Sequence, residues 1–209
     1  MFDAGTLMFR EFAMGEPLPL ANIQNAVLEF LRHRDDGVVL GAQAVNAYVA
    51  EPRMTQDIDV LSTRAVELTE ELREHLSQLF QIAVCLRDID KGGGYRLYQI
   101  QESGNRHLVD VRPVDSLPSA QRVSGVLVIA PPDLIASKVI SYHRRLAQPK
   151  SFSDRRDIAM LLLQFPELKS EVGPVMDCLR GAGAEEQVLN AWRELVAQEI
   201  QPPDADDEF

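Results

Sequence analysis

The run Arg53-Met-Thr-Gln-Asp57-Ile-Asp59-Val-Leu61 sets two acids one residue apart, directly ahead of an apolar pair. The alternation Asp57-Ile58-Asp59-Val60 predicts a β-strand. On a strand both carboxylates leave the same face, with Cα atoms roughly 6.5–7 Å apart. Buried charge without compensation is costly, so a strand that runs into core residues needs a counter-charge for such a pair. A hard divalent cation such as Mg²⁺, which prefers oxygen ligands, is the simplest one. The plainer alternative is that one acid caps a backbone amide while the other is solvated at a sheet edge.

Around this strand the chain reads as a mixed α/β unit. Leu18 to His33 predicts a helix with Ile23, Val27, Leu28 and Leu31 on one side, ended by Asp35-Asp36-Gly37. Val38-Val39-Leu40 predicts a short buried strand, Gly41 follows at once, and Ala42 to Val49 predicts a helix that Pro52 ends. Thr63 is placed to cap a helix reaching Phe80. Further strands are expected over Gln81–Leu86, Tyr95–Gln101, His107–Val111 and Val126–Ile129, with turns at Lys91-Gly-Gly-Gly94 and Ser103-Gly-Asn105. Pro131-Pro132 is the sharpest boundary, and helices are expected beyond it near 133–147, 153–164 and 183–199. The expected organisation is an α/β domain over 1–130, a helical domain over 131–200 and a disordered acidic tail over 201–209.

The chain's 209 residues, 45% of them hydrophobic, suffice for one core or two small ones. A net charge of −11 argues against a protein that coats nucleic acid through its overall field. Asp204, Asp206, Asp207 and Glu208 carry four of those charges, leaving about −7 for the rest. Two isolated cysteines, Cys85 and Cys178, argue against a disulfide framework or a zinc site. The opening residues lack the pattern of a signal peptide, and no apolar run nears the ~20 residues of a membrane span, so a reducing cytoplasm is the expected compartment.

Four further features gather around the acidic pair. Gly41 stands between a buried strand and a helix, where the backbone approaches a ligand closely and a helix N-terminus favours phosphate; a simple turn requirement is the alternative. Asp110, in His107-Leu-Val-Asp-Val-Arg112, is an acid among valines in a strand. It would supply a third carboxylate to a site for one or two Mg²⁺, or else pair with Arg112 or Arg96. Lys138 lies just off the apolar row Ile135, Val139, Tyr142 and Leu146, so it either reaches a phosphate or snorkels at the surface. Asp154 and Asp157 share a helix face, Asp157 partly buried and Asp154 also a candidate N-cap. Arg144, Arg145, Lys150, Arg155 and Arg156 form a basic island suited to phosphates, or to solvated helix ends.

A glycine-led helix, an arginine, Thr-x-Asp-x-Asp and a later strand aspartate resemble the nucleotidyltransferase superfamily of DNA polymerase β. Within it the resemblance is to the AbiEii-type toxin-like nucleotidyltransferases. It is carried by Gly41-Ala-Gln-Ala44, Arg53-Met-Thr-Gln-Asp57-Ile-Asp59, Lys138 and Asp154-Arg-Arg-Asp157, within roughly residues 37–165. Ala42 stands where the family usually has a second glycine or a serine. The resemblance implies an α/β fold, a mixed sheet with flanking helices, followed by an α-helical C-terminal half.

It also implies transfer of a nucleoside monophosphate from an NTP to an acceptor, with Mg²⁺ held by Asp57, Asp59 and Asp110. Gly41, Ala42, Arg53, Thr55, Lys138 and Asp154 would bind the nucleotide, and Lys138 and Asp157 would join the three acids in catalysis. A tRNA or protein acceptor and an antitoxin partner belong to the toxin-like reading. A small aminoglycoside-like acceptor, or a member that binds nucleotide or a protein partner without catalysis, are the alternatives.

Overall fold

Short apolar strands separated by amphipathic helices build a mixed sheet, and the order of those strands places the acids. The computed structural model describes residues 18–89, 93–101 and 104–202. Two compact units divide at Ala130/Pro131. The first begins with α1 (Leu20–Leu31), whose Ile23, Val27, Leu28 and Leu31 are buried, followed by β1 (Gly37–Leu40) and α2 (Gly41–Tyr48). Then come β2 (Ile58–Ser62), α3 (Ala65–Phe80), β3 (Val84–Ile89), β4 (Gly94–Gln99), β5 (Arg106–Pro113), β6 (Ala120–Val123) and β7 (Val126–Ile129). The strands form one seven-stranded sheet in the order β3-β4-β5-β2-β1-β7-β6. β2 lies parallel to β5 and antiparallel to β1.

Strand alternation separates core from site. Ile58, Val60, Val109 and Val111 are all but inaccessible and form one face of the central strands. On the other face, Leu40 opposes Asp59, Asp59 opposes Asp110, Asp110 opposes Arg96 and Arg96 opposes Arg87. Register partners project to the same side, so two acids and two arginines form a transverse charged row over a hydrophobic floor.

Several local expectations are corrected. Asp57 precedes β2 rather than lying on it, because the strand begins at Ile58. Thr63 does not cap α3; the helix begins at Ala65, and Ser62 Oγ accepts the Arg64 amide at 3.0 Å instead. The strand expected over Gln81–Leu86 is shifted to Val84–Ile89, since Gln81 takes the left-handed conformation that closes α3. β6 was not anticipated: its Ala-Gln-Arg-Val is exposed and borrows its pairing from β7. Lys91 and Ser103 of the expected turns, and residues 203–209 of the expected tail, lie outside the described residues.

The second unit holds α4 (Pro131–Arg144), α5 (Lys150–Gln164), a 3₁₀ turn (Pro166–Leu168), α6 (Pro174–Gly181) and α7 (Glu186–Ala197). Its core gathers Leu134, Ile135, Val139, Ile158, Leu161, Leu179 and Trp192. Trp192 Nε1 donates to the Ser170 carbonyl at 3.1 Å, which satisfies the indole in a fully buried position. Among the described residues no helix is long and apolar enough to cross a membrane, and Cys85 and Cys178 are free.

Candidate active site

Gly41 opens α2 with φ +70°, directly after β1. A Cβ added there would meet Asp59 Oδ2 at 2.4 Å. The glycine therefore answers two requirements, a left-handed backbone and a carboxylate packed where a side chain would stand. Gly41→Ala is expected to cost about 1–2 kcal/mol of stability from the backbone conformation alone. It should also push the Asp59 carboxylate aside, which chemical denaturation and a crystal structure of the variant would report.

The loop after α2 is anchored at both ends. Asn46 brackets Arg53, accepting its amide at 2.9 Å and donating to its carbonyl at 2.8 Å. Gln24 of α1 donates to the Thr55 carbonyl, and the Thr55 hydroxyl donates to the Asp57 carbonyl at 3.1 Å. Thr55 thus shapes the approach to Asp57 through backbone contacts. The Arg53 guanidinium donates to the Met54 carbonyl at 3.2 Å. Ala42 follows Gly41 in the first turn of α2 and is partly exposed.

Asp57 and Asp110 are brought together by a residue that the motifs did not single out. His107 Nδ1 lies 3.1 Å from Asp57 Oδ2, and its Nε2 lies 2.7 Å from Asp110 Oδ1. Arg96 grips Asp110 with a two-pronged fork, Nε to Oδ1 and Nη2 to Oδ2, both at 2.6 Å. The Arg96 pairing foreseen as the structural alternative is therefore present, and it coexists with the carboxylate cluster. Arg112 Nη2 lies 3.6 Å from Asp59 Oδ1.

His107 escaped notice for a geometric reason. Residues three apart project to opposite faces of a regular strand. Here Leu97 pairs with Val109 but Tyr98 pairs with His107, so Leu108 is an extra residue in β5. That bulge inverts the alternation and brings His107 to the side of Asp110. The signal in the sequence is the doublet Leu108-Val109, two consecutive apolar residues where alternation calls for one.

Charge balance follows from this geometry. Burial alone would raise the Asp110 carboxyl, but the Arg96 and His107 hydrogen bonds outweigh it and hold it at about 2. Burial alone would lower His107, but hydrogen bonds to Asp110 and Asp57 hold it at about 9, against an ordinary 6.5. The imidazolium's contribution is complete below pH 6.5 and is lost as pH rises through 9. The Asp110 contribution is complete above pH 3.8 and is lost as pH falls through about 2. The metal-free protein should therefore lose on the order of 2 kcal/mol between pH 6.5 and 9.5. Urea unfolding at the two pH values would show it, and a His107→Gln variant should lack most of the slope.

In the second unit, Lys138, Asp154 and Asp157 meet as a buried ion cluster. Lys138 Nζ lies 2.7 Å from Asp157 Oδ2 and 3.5 Å from Asp154 Oδ1, while Arg145 Nη1 lies 3.1 Å from Asp154 Oδ2. Lys138 is 7% exposed, so it is not a snorkelling surface lysine. Asp154 is not an N-cap, since α5 begins at Lys150 and places it beyond the first turn. The basic island divides accordingly: Arg145 serves Asp154, and Arg155 donates to Gln198 at 3.0 Å.

Residues 26–207 match the family model described as "Nucleotidyl transferase AbiEii toxin, Type IV TA system". The chain belongs to the AbiEii nucleotidyltransferase family. The expected superfamily and its AbiEii branch are thereby met. No curated protein matches the chain. Among solved structures, the polyadenylate synthase of Megavirus is similar at a TM-score of 0.59 and 14% identity, over 75% of this chain and 34% of the viral one. This chain thus spans about a third of that enzyme's length. JHP933 from Helicobacter pylori is similar at a TM-score of 0.56 and 12% identity, over 92% of this chain and 91% of its own. At such identities these likenesses speak for the nucleotidyltransferase-like α/β fold.

Oxygen donors from Asp57 and Asp110 suit a hard divalent ion, and one ligand atom each from Asp57, His107 and Asp110 lie within 4.8 Å of one another. The carboxylates suit such an ion, but the cations His107 and Arg96 stand where its charge would act, so binding would require them to give way.

Proposed function

We propose that this chain is a Mg²⁺-dependent nucleotidyltransferase that moves a nucleoside monophosphate from an NTP to an acceptor and releases pyrophosphate. The observation that carries the reading is the register match of Asp59 with Asp110, with Asp57 just ahead of β2 and Gly41 against the Asp59 carboxylate. Residues 1–130 would form the catalytic domain and 131–200 a helical one. Asp57, Asp59 and Asp110 would hold the ion. The ion held there would supply electrostatic stabilisation of the charge that develops on the triphosphate during transfer. Gly41 and the Ala42 amide, at the start of α2, would take the β- and γ-phosphates. Arg53 and Thr55 would fix the loop that carries Asp57.

Asp110, held ionised by Arg96 and His107, is suited to ligation and is a weak base while that fork is in place. It would take a proton from the acceptor hydroxyl only once Arg96 has moved off it. Lys138 already neutralises two buried carboxylates, so contact with a phosphate requires breaking its 2.7 Å pair with Asp157. Lys138, Asp154 and Asp157 would then support the site by fixing α4 against α5, or act on the triphosphate after that pair opens.

The toxin description of the family supports an antitoxin partner, and a tRNA or protein acceptor in the cytoplasm completes this reading. The net charge of −11 favours the second reading, a small cationic acceptor of the aminoglycoside kind. Ala42, which offers no hydroxyl to a phosphate, is what supports a non-catalytic nucleotide-binding member. The test incubates the full chain with Mg²⁺, each of four α-labelled NTPs, bulk tRNA, a cell extract and an aminoglycoside in separate arms. Label on tRNA or protein is expected. Label on the aminoglycoside alone would replace the toxin-like reading, and no transfer in any arm would overturn catalysis.

A further inference from the structure

The charged row across the sheet has two unlike ends. It starts at Leu40 and Gly41, passes through Asp59 and Asp110, and finishes at Arg96 and Arg87. Four strand spacings put Leu40 and Arg87 roughly 19 Å apart. The Gly41 end is the one proposed above for the donor's phosphates, and Asp110 stands between it and the arginines. Arg87 and Arg96 oppose each other directly across β3 and β4, a like-charge pairing that is unfavourable on its own. Arg96 is answered by its fork to Asp110. Arg87 is exposed, lies over the Tyr98 ring at 5.4 Å, and has no carboxylate partner among the described residues. The three acids already face His107, Arg112 and Arg96, so Arg87 is a positive charge in surplus. An anion, not a further cation, completes this end of the row.

We propose that Arg87 and Arg96 form a subsite for a phosphate of the acceptor, and that Arg96 leaves Asp110 to bind it. The inference rests on the nucleotidyl-transfer reading above and names the acceptor class for it, a phosphodiester chain with a terminal hydroxyl. Guanidinium groups bind phosphate and carboxylate with the same planar fork, so Arg96 exchanges one charge-assisted pair for another. The exchange frees both Asp110 oxygens from Arg96, the condition set above for Asp110 to act on the acceptor hydroxyl. It also places the opening of Asp110 under the control of the acceptor rather than of the donor, whose phosphates lie at the opposite end of the row. A cationic acceptor of the aminoglycoside kind would meet like charge here.

The experiment titrates the full chain by calorimetry, with Mg²⁺ present, using two probes in separate arms. One is triuridylate with a free 3′-hydroxyl, and the other is α,β-methylene-ATP, which cannot transfer its nucleotide. Arg87→Gln should weaken triuridylate binding about tenfold and leave the ATP analogue unchanged. Arg87 is exposed, so this variant keeps the fold, and Arg87→Lys, which keeps the charge, should restore most of the affinity. In nuclear magnetic resonance spectra the Arg96 Nε–H signal, set by Asp110 in the free chain, should shift on adding triuridylate and stay in place on adding the analogue. Equal triuridylate binding by wild type and Arg87→Gln overturns the subsite. A loss confined to the analogue assigns the arginines to the donor's phosphates and overturns the acceptor assignment. An Arg96 signal unmoved by triuridylate overturns its release from Asp110. Failure of the transfer reading shows separately, as no binding of the analogue and no label transferred in the incubation above. It would remove the acceptor role and with it this inference, even where the arginines bind triuridylate.

Discussion

Replacing Lys138 with Met will destabilise the helical unit by about 3 kcal/mol, read from urea or thermal unfolding of the full chain. The reason is the depth of the cluster. Lys138 is 7% exposed, Asp154 2% and Asp157 wholly buried. The substitution preserves most of the side-chain volume, so little cavity forms, but it removes the cation 2.7 Å from Asp157. Arg145 remains 3.1 Å from Asp154, so the larger part of the loss falls on Asp157. Removing one partner of a buried pair costs more than replacing the pair by apolar groups. The double variant Lys138→Met, Asp157→Leu should therefore recover much of the loss.

That pair of variants also decides what the lysine is for. A structural lysine predicts that stability and activity fall together and recover together in the double variant. A lysine recruited by the triphosphate predicts that the double variant regains stability but not transfer. A stability loss below about 1 kcal/mol would contradict the buried ion cluster itself, because exposed pairs are worth that little.

How far the chain spoke for itself differs between its two kinds of site residue. Local signals located Gly41, the acidic pair and Asp110, because each breaks a local rule: glycine at a strand–helix junction, acids on strands, an aspartate among valines. The Asp59–Asp110 register was beyond the sequence, since it depends on β2 and β5 pairing in parallel across the intervening α3, β3 and β4. His107 was hidden by a bulge that only the β4–β5 pairing defines. For Asp57 and Asp59 a metal was the simplest counter-charge expected, whereas His107 and Arg112 already supply cationic partners; for Asp110 the Arg96 pairing was the foreseen alternative. A period-of-two pattern assigns a strand's faces but cannot name which cations from other strands will meet it. Asp154 shows the same limit in a helix. Its place near a helix start suggested a cap, and only the tertiary approach of Lys138 and Arg145 reveals a buried ion pair.

Asp110→Asn should lower the rate of nucleotidyl transfer about a thousandfold, equivalent to about 4 kcal/mol of transition-state stabilisation. The substitution keeps the shape and one oxygen but removes the charge that an ion, Arg96 and His107 all engage. Its side chain is only 4% exposed, so the fork from Arg96 would then face a neutral amide and some stability would be lost as well. Asp57→Ala separates the two effects. Its carboxylate is 35% exposed and precedes β2, so the variant should stay folded while losing transfer to a similar degree. Steady-state transfer with a labelled NTP, beside unfolding curves for both variants, makes the comparison. Loss of activity in both with near-native stability in Asp57→Ala assigns the pair to the chemistry. Activity that survives Asp110→Asn would return Asp110 to a structural ion pair with Arg96. The acidic pair Asp57 and Asp59 would then have to serve the ion without the third carboxylate that β5 sets beside them.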